Sequence, residues 1–462
     1  MVNVIQLSTK GLFFIYLIQL FIGCASLKTN TEKYREIDKL VESERYSAAI
    51  HEIEMKKDDY YDDKDILLYY LDMGVLHHYA GNYKESNKYL ERANQSIEAL
   101  FTQSISKGAS SVLLNENVLD YSGEDYENLY INIFRAMNYY KLNDIDAALV
   151  EIRAMHEKLD VINDNYADLI DSMNKSDTTS IDYSLPELEF KDSAFGRYFS
   201  SILFERLGFE DDARIDLEKA IDLCKEQKVI YNFPIPSFEF TSAKMNSTCI
   251  DLIVCLGRAP LKEPKEYYIS TTNNYLIIKE VKGNSSVKVE EIFWPKIKPN
   301  LNFKFAVPIL ISQGSSVHKI KIFDKNEFLG ELKKFESINN IAEETFERKK
   351  KIIYLKAIVR TIVKGLLVEA ANRELDKQTG GGLLGSLTRS ISSKLMNYTE
   401  NADLRTSRYY PGEIWVGKVL IPPKKQTLEI KYYNTSNIQM GTDSVNVNTI
   451  DRNDLVILNH TW

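Results

Sequence analysis

What this chain can fold into is constrained most by one spacing in its first half. Four turn positions, Glu44, Gly81, Asn143 and Gly208, are each followed five residues later by a small side chain: Ala49, Ser86, Ala148 and Ala213. After the last three, an apolar side chain stands four residues further on, at Leu90, Ile152 and Leu217. A separation of four keeps both residues on one helix face. Small side chains there let two antiparallel helices touch, and a glycine at the turn lets the first helix exit through the left-handed conformation. Residues 32 to about 230 therefore read as pairs of helices. The turns lie 37, 62 and 65 residues apart. The two longer steps put extra material into the Ser-, Asn- and Asp-rich stretches 104–125 and 163–188, which read as loops.

The segment GVLHHYAGNYKESNKYLERA carries Gly74, Gly81, Tyr83 and Ala93 in an order that resembles a tetratricopeptide (TPR) repeat, a helix pair of about 34 residues. Ala148, Gly208, Ala213 and Ala220 occupy the corresponding slots of later pairs. The resemblance implies an α-solenoid of such pairs over residues 24–230, offering a concave surface to a protein or peptide.

Beyond Lys228 the pattern changes. The prolines of YNFPIPSFEF forbid a continued helix. Strand candidates follow at Ile250–Leu256, Tyr275–Val281, Val287–Phe293, Leu301–Ile311 and Val317–Phe323, the last alternating cleanly. Residues 338–376 return to helix, with Ile352, Leu355, Val359, Ile362 and Leu366 on one side and Arg360 and Lys364 on another. Gly380-Gly381-Gly382 breaks it before a second helix at 384–399. From Tyr409 the chain reads as strands again: IWVGKVLI, TLEIKYY, VNVNTI and LVILNHTW. The order predicts an α+β protein in which the solenoid precedes a small antiparallel β domain. That domain has a first part at 231–337, a helical insertion at 338–402 and C-terminal strands at 403–462.

At the N-terminus Lys10 precedes a run from Gly11 to Gly23 that is free of charge and too short to span a bilayer comfortably. Its end, Leu20-Phe21-Ile22-Gly23-Cys24, resembles a bacterial lipobox, with Phe21 where that pattern carries Leu, Val or Ile. The resemblance implies that residues 1–23 are a signal peptide and that Cys24 takes the lipid. Acyl chains of the palmitate type hold a protein to a membrane at about 0.8 kcal/mol per buried methylene. Ala25-Ser26 lacks the acidic residue linked to inner-membrane retention, so the resemblance to enteric sorting implies the outer membrane, facing the periplasm.

A net charge of −8 argues against nucleic acid as a partner, since phosphate binding needs a basic face. No CxxC pair occurs among Cys224, Cys249 and Cys255, which read as small buried hydrophobes. His77 and His78 are adjacent and point to different helix faces, and with His156 they do not make a ligand set. TGGGLLGS lacks the GK[ST] of a phosphate loop, and the Asp58-Asp59 and Asp62-Asp63 clusters lack the EF-hand spacing. No metal, no cofactor and no catalytic set is expected, and the chain reads as a non-enzyme.

Three segments carry a more specific resemblance: GRAPLKEP (257–264), AIVRTIVKGLLVEAA (357–371) and ADLRTSRYYPGEIWVGKVLIPP (402–423). Behind a tetratricopeptide-like half, they are similar to an uncharacterised family of bacterial envelope lipoproteins. Ala402, Asp403, Arg405 and Pro411 match its pattern, while Ser407 and Tyr410 replace its tryptophan and leucine. The expected role is a lipid-anchored protein-protein interaction scaffold of the cell envelope. The alternative is an accessory activator of a cell-wall enzyme with a ligand site in the β domain. Asp403 and Arg405 then form a structural ion pair or a ligand-binding pair.

Overall fold

The computed structural model describes residues 30–107, 116–176, 190–236, 248–283, 285–295, 297–379, 401–448 and 454–462. Cys24 with its lipobox, the glycine tract 380–382 and the expected helix 384–399 lie outside the described residues. Helices pair first: α1 (Asn30–Glu42) with α2 (Tyr46–Met55), α3 (Ile66–Tyr79) with α4 (Tyr83–Lys107), α5 (Asp125–Lys141) with α6 (Ile145–Ser176), and α7 (Ala194–Leu207) with α8 (Glu210–Glu226).

All four turn positions are left-handed, with φ of 57° at Glu44, 78° at Gly81, 62° at Asn143 and 80° at Gly208. Each turn makes the same two bonds. At Gly81 the N–H donates to the His78 carbonyl (3.0 Å) and the Asn82 N–H to the His77 carbonyl (2.8 Å). The equivalent bonds are Glu44 to Val41 with Arg45 to Leu40, Asn143 to Tyr140 with Asp144 to Tyr139, and Gly208 to Glu205 with Phe209 to Phe204. This is the Schellman arrangement, which satisfies the orphan carbonyls of the ending helix.

The small residue five positions on is buried every time: Ala49, Ser86, Ala148 and Ala213. Ser86 Oγ also donates to the Gly74 carbonyl (2.7 Å). A Cβ at Gly74 would come within 2.5 Å of Leu90 Cδ2, so the close crossing of α3 and α4 requires glycine there. Ala93 and Ala220 are fully buried too, and the Tyr83 ring lies 5.7 Å from His78.

Two sheets follow. The smaller has the order β4-β3-β2-β5, with β2 (Arg258–Thr272), β3 (Tyr275–Lys282), β4 (Ser285–Phe293) and β5 (Asn302–Gln313). The larger is β10-β9-β6-β7-β8-β1-β11, built from β1 (Thr248–Leu256), β6 (Lys319–Asp324), β7 (Glu327–Ser337), β8 (Glu413–Ile421), β9 (Lys425–Tyr433), β10 (Gln439–Asn448) and β11 (Asp454–His460). Helix α9 (Ile338–Thr379) leaves the sheet between the neighbouring strands β7 and β8 and packs Ala357, Ile358 and Ile362 on the smaller sheet.

Strand β1 is buried on both faces, and its alternation divides two cores. Ile250, Leu252, Val254 and Leu256 join a core within the larger sheet, while Ile253 and Cys255 join the core of the helices. One continuous apolar core therefore runs from Tyr34 in α1 to Ile457 in β11.

The chain is α+β, with helices first and sheets after, but several details depart from the sequence reading. The β part is not small and wholly antiparallel, because β1 pairs with β11 in parallel, Ile253 opposite Ile457. RAPLKEPKEYYIS is strand despite its prolines. Pro264 faces Pro308 in a stretch of β2 that has β5 as its only ladder partner, so the missing N–H groups cost little. The stretch 163–176, read as loop, continues α6 as helix. Arg360 is buried. No described helix is long and apolar enough to cross a membrane.

Candidate functional site

Residues 401–412 form neither helix nor strand, and their polar groups meet the first helix of one pair after another. Arg405 holds Asp403 through Nε and Nη2, donates from Nη1 to Asp65 Oδ1 (3.0 Å), and reaches the carbonyls of Glu116 (2.7 Å) and Leu119 (3.0 Å). Burial alone would raise the Asp403 carboxyl, and the hydrogen bonds and charge of Arg405 hold it below the usual carboxylate range. Ser407 Oγ donates to Asp72 (2.8 Å), and the Ser407 N–H to Glu127 (2.6 Å). Arg408 Nη2 pairs with Asp38, and its N–H reaches Asp72 (3.0 Å). Tyr79 OH closes the row on the Tyr409 carbonyl (2.8 Å). The carboxylates belong to α1, the start of α3, α3 and α5, so this strap covers the inner side of the helix pairs.

The resembling segment 257–264 reaches the same joint, where α9 joins it ahead of the segment 357–371. Arg258 pairs with Glu42 (2.7 Å), Lys262 with Glu124, and Lys349 of α9 with Glu124 (2.7 Å). Further along, Glu336 at the end of β7 is fully buried. It accepts from Tyr130 OH, Ser193 Oγ (2.8 Å), Tyr231 OH (2.9 Å) and the Phe195 N–H (2.8 Å) in the first turn of α7. A helix N-terminus suits an anion, yet burial still raises this carboxyl above its ordinary value. Asp403 and Arg405 thus belong to an internal seam, and the sequence reading missed its acceptors Asp38, Asp65, Asp72, Glu127 and Glu336. One was legible: Asp72 is the lone charge in ILLYYLDMGVL.

The open surface lies elsewhere. Between α4, α5 and α6 the groove is plugged. Arg135 bridges Glu91 (2.5 Å) and Glu151 (2.9 Å), and Lys158 Nζ donates to Asn94 Oδ1 (2.6 Å) and Asn128 Oδ1 (2.8 Å). Burial lowers the Lys158 ammonium to about 7.

The next groove, between α6, α7 and α8, is unplugged and holds a cleft of about 220 Å³. Leu149, Ile152, Phe204 and Ile215 give it an apolar patch, and polar or charged side chains line the rest. On its wall His156 Nδ1 is committed to Asp192 (2.5 Å), and its Nε2 is buried without a hydrogen-bond partner. Arg197 is neutralised by Asp192 (2.8 Å) and Asp216 (3.3 Å), and Ser200 Oγ donates to Asp216 (2.7 Å). Arg153, Lys219 and Asp212 are exposed and make no ion pair among the described residues.

His78 is fully enclosed on Asn138 (2.6 Å), and His77 stacks on Tyr89 at 5.2 Å. Among the described residues no group of three His, Cys, Asp or Glu side chains is disposed to hold a metal ion. Cys224, Cys249 and Cys255 are buried free thiols. No protein-family model matches this chain, and no curated protein matches it significantly.

Proposed function

We propose that this is a lipid-anchored cell-envelope protein, tethered through Cys24 and acting as a protein-protein interaction scaffold, with the partner seated at the cleft between its third and fourth helix pairs. The helix pairs are read as tetratricopeptide-like. The repeated Schellman turn with its buried small residue supports that reading. One observation carries the choice of surface. The inner side of the pairs is already occupied by the strap 401–412 and the larger sheet, whereas the α6–α8 groove is open, with an apolar patch set among polar and charged side chains. The proposed partner is a protein or peptide of the envelope, and neither nucleic acid nor a cofactor is part of the reading.

Ile215, 40% exposed, sits in that cleft. The test is affinity purification of the detergent-solubilised protein from its own membranes, alongside Ile215→Arg. The same co-purifying proteins with both forms would reject the cleft as the partner surface.

A further inference from the structure

The segment His460–Trp462 stands where three parts of the molecule meet. Strands β10 and β11 are the outer strands of the larger sheet and share no ladder among the described residues. At one end of that seam the bridge is His460. Its Nε2 lies 2.7 Å from Asp443 Oδ2 of β10, and its Nδ1 lies 2.6 Å from Glu44 Oε1 at the turn between α1 and α2. Neutral donors complete the joint: Tyr432 OH of β9 to Asp443 (2.6 Å), Trp462 Nε1 to Glu44 (2.7 Å), Thr461 Oγ1 to the Val41 carbonyl (2.8 Å) and Ser315 Oγ to the Trp462 carbonyl (2.9 Å). The Tyr432, His460 and Trp462 rings pack on one another with centroids 4.7 Å, 5.0 Å and 5.1 Å apart.

A neutral imidazole carries one N–H and one lone pair, so between two carboxylates it donates to one and turns its lone pair on the other. Only the imidazolium donates to both. We propose that the segment 460–462 is a proton-held clasp: with His460 cationic it fastens the first helix pair to the seam between β10 and β11, and loss of that proton releases it. The charges at the joint support this. One cation between Glu44 and Asp443 leaves a single net negative charge, whereas a neutral His460 leaves both carboxylates uncompensated, each with one neutral donor. Strand β1 sets Leu256 beside His460 and brings no charge to it. Burial alone would lower the imidazolium, and the hydrogen bonds and charges of Asp443 and Glu44 raise it from 6.5 to about 9. The bond from His460 also holds Glu44 below the usual carboxylate range, and against burial it does the same for Asp443. A raised cation is kept through neutral pH and lost as pH climbs through about 9, so the clasp is closed below that point and opens above it.

The test labels the full chain with 6-fluorotryptophan and assigns the Trp462 fluorine resonance by its loss in Trp462→Phe. With the His460 ring 4.7 Å away, the fluorine shift reports protonation, and relaxation by a neutral gadolinium chelate reports exposure. The shift is expected to titrate near pH 9, and the relaxation to rise about threefold through the same midpoint. Asp443→Asn should lower that midpoint by about one pH unit or more. His460→Gln, which carries no charge, should leave Trp462 exposed at every pH between about 7 and 10. A wild-type midpoint near 6.5 would show that the carboxylates do not hold the cation, and would overturn the clasp. So would a Trp462 that stays shielded while the shift titrates, or one that is shielded at neutral pH in His460→Gln.

Discussion

Arg405 grips Asp403 at two points, Nε to Oδ1 at 2.9 Å and Nη2 to Oδ2 at 2.8 Å, within a single turn of chain. The grip shapes the strap, and the remaining donors of Arg405 fasten it to Asp65 and to the Glu116 and Leu119 carbonyls. Removing one partner of a buried pair strands the other. Asp403→Ala is expected to lower unfolding stability by about 3 kcal/mol, with Asp65 keeping the loss from being larger. Arg405→Lys keeps the charge but loses the fork and should cost about 2 kcal/mol. Urea titrations measure both. A change below about 0.5 kcal/mol for Asp403→Ala would show that the strap is not held here.

The helix pairs make a packing prediction. Ala148 is fully buried and Ala213 nearly so, each facing its partner helix beside a left-handed turn. Ala148→Arg and Ala213→Arg must bury a cation or part the helices, and each should cost about 3 kcal/mol or more. Circular-dichroism melts check this, and melting temperatures unchanged for both would contradict the close crossing.

Two groups on α3 give opposite pH dependences. Burial lowers His78 to about 4, so between its unfolded value of about 6.5 and 4 the unfolded chain binds more protons. Its contribution is therefore complete above about pH 6.5 and is lost as pH falls, by about 3 kcal/mol. Burial raises Asp72 to about 7, against donors from Arg408, Ser407 and Tyr61 that favour its charge. The folded state then binds more protons between about 4 and 7, and the contribution is lost as pH rises through 7. The expected result is a pair of difference curves of opposite slope between about pH 4 and 7. Relative to wild type, Asp72→Asn gains stability with rising pH and His78→Asn loses it. Parallel curves for all three proteins would refute both assignments.

Cys24 makes the anchoring prediction. Cys24→Ala should abolish labelling by a palmitate analogue and leave the protein uncut, or released from membranes once cut elsewhere. Equal label in wild type and variant would remove the lipid anchor from the proposed function.

By itself, the sequence determined the local geometry of the first half. The turn residues Glu44, Gly81, Asn143 and Gly208 and the small residues five positions later set the helix exits and crossings, because such constraints act within a few residues along the chain. Most strands were legible as short β-rich runs, Val317–Phe323 by its clean alternation. The parallel partnership of β1 with β11 was not, since it joins residues about two hundred positions apart and leaves no local periodicity. Nor was the fate of the inner helix face. Only tertiary packing brings Arg405 and Arg408 to Asp65 and Asp38, more than three hundred residues away. That same packing fills the surface the repeats were expected to offer. Whether a groove is plugged or open, as by Arg135 between α4 and α6 or not at all between α6 and α8, depends on which side chains meet across helices, and a sequence pattern does not record such meetings.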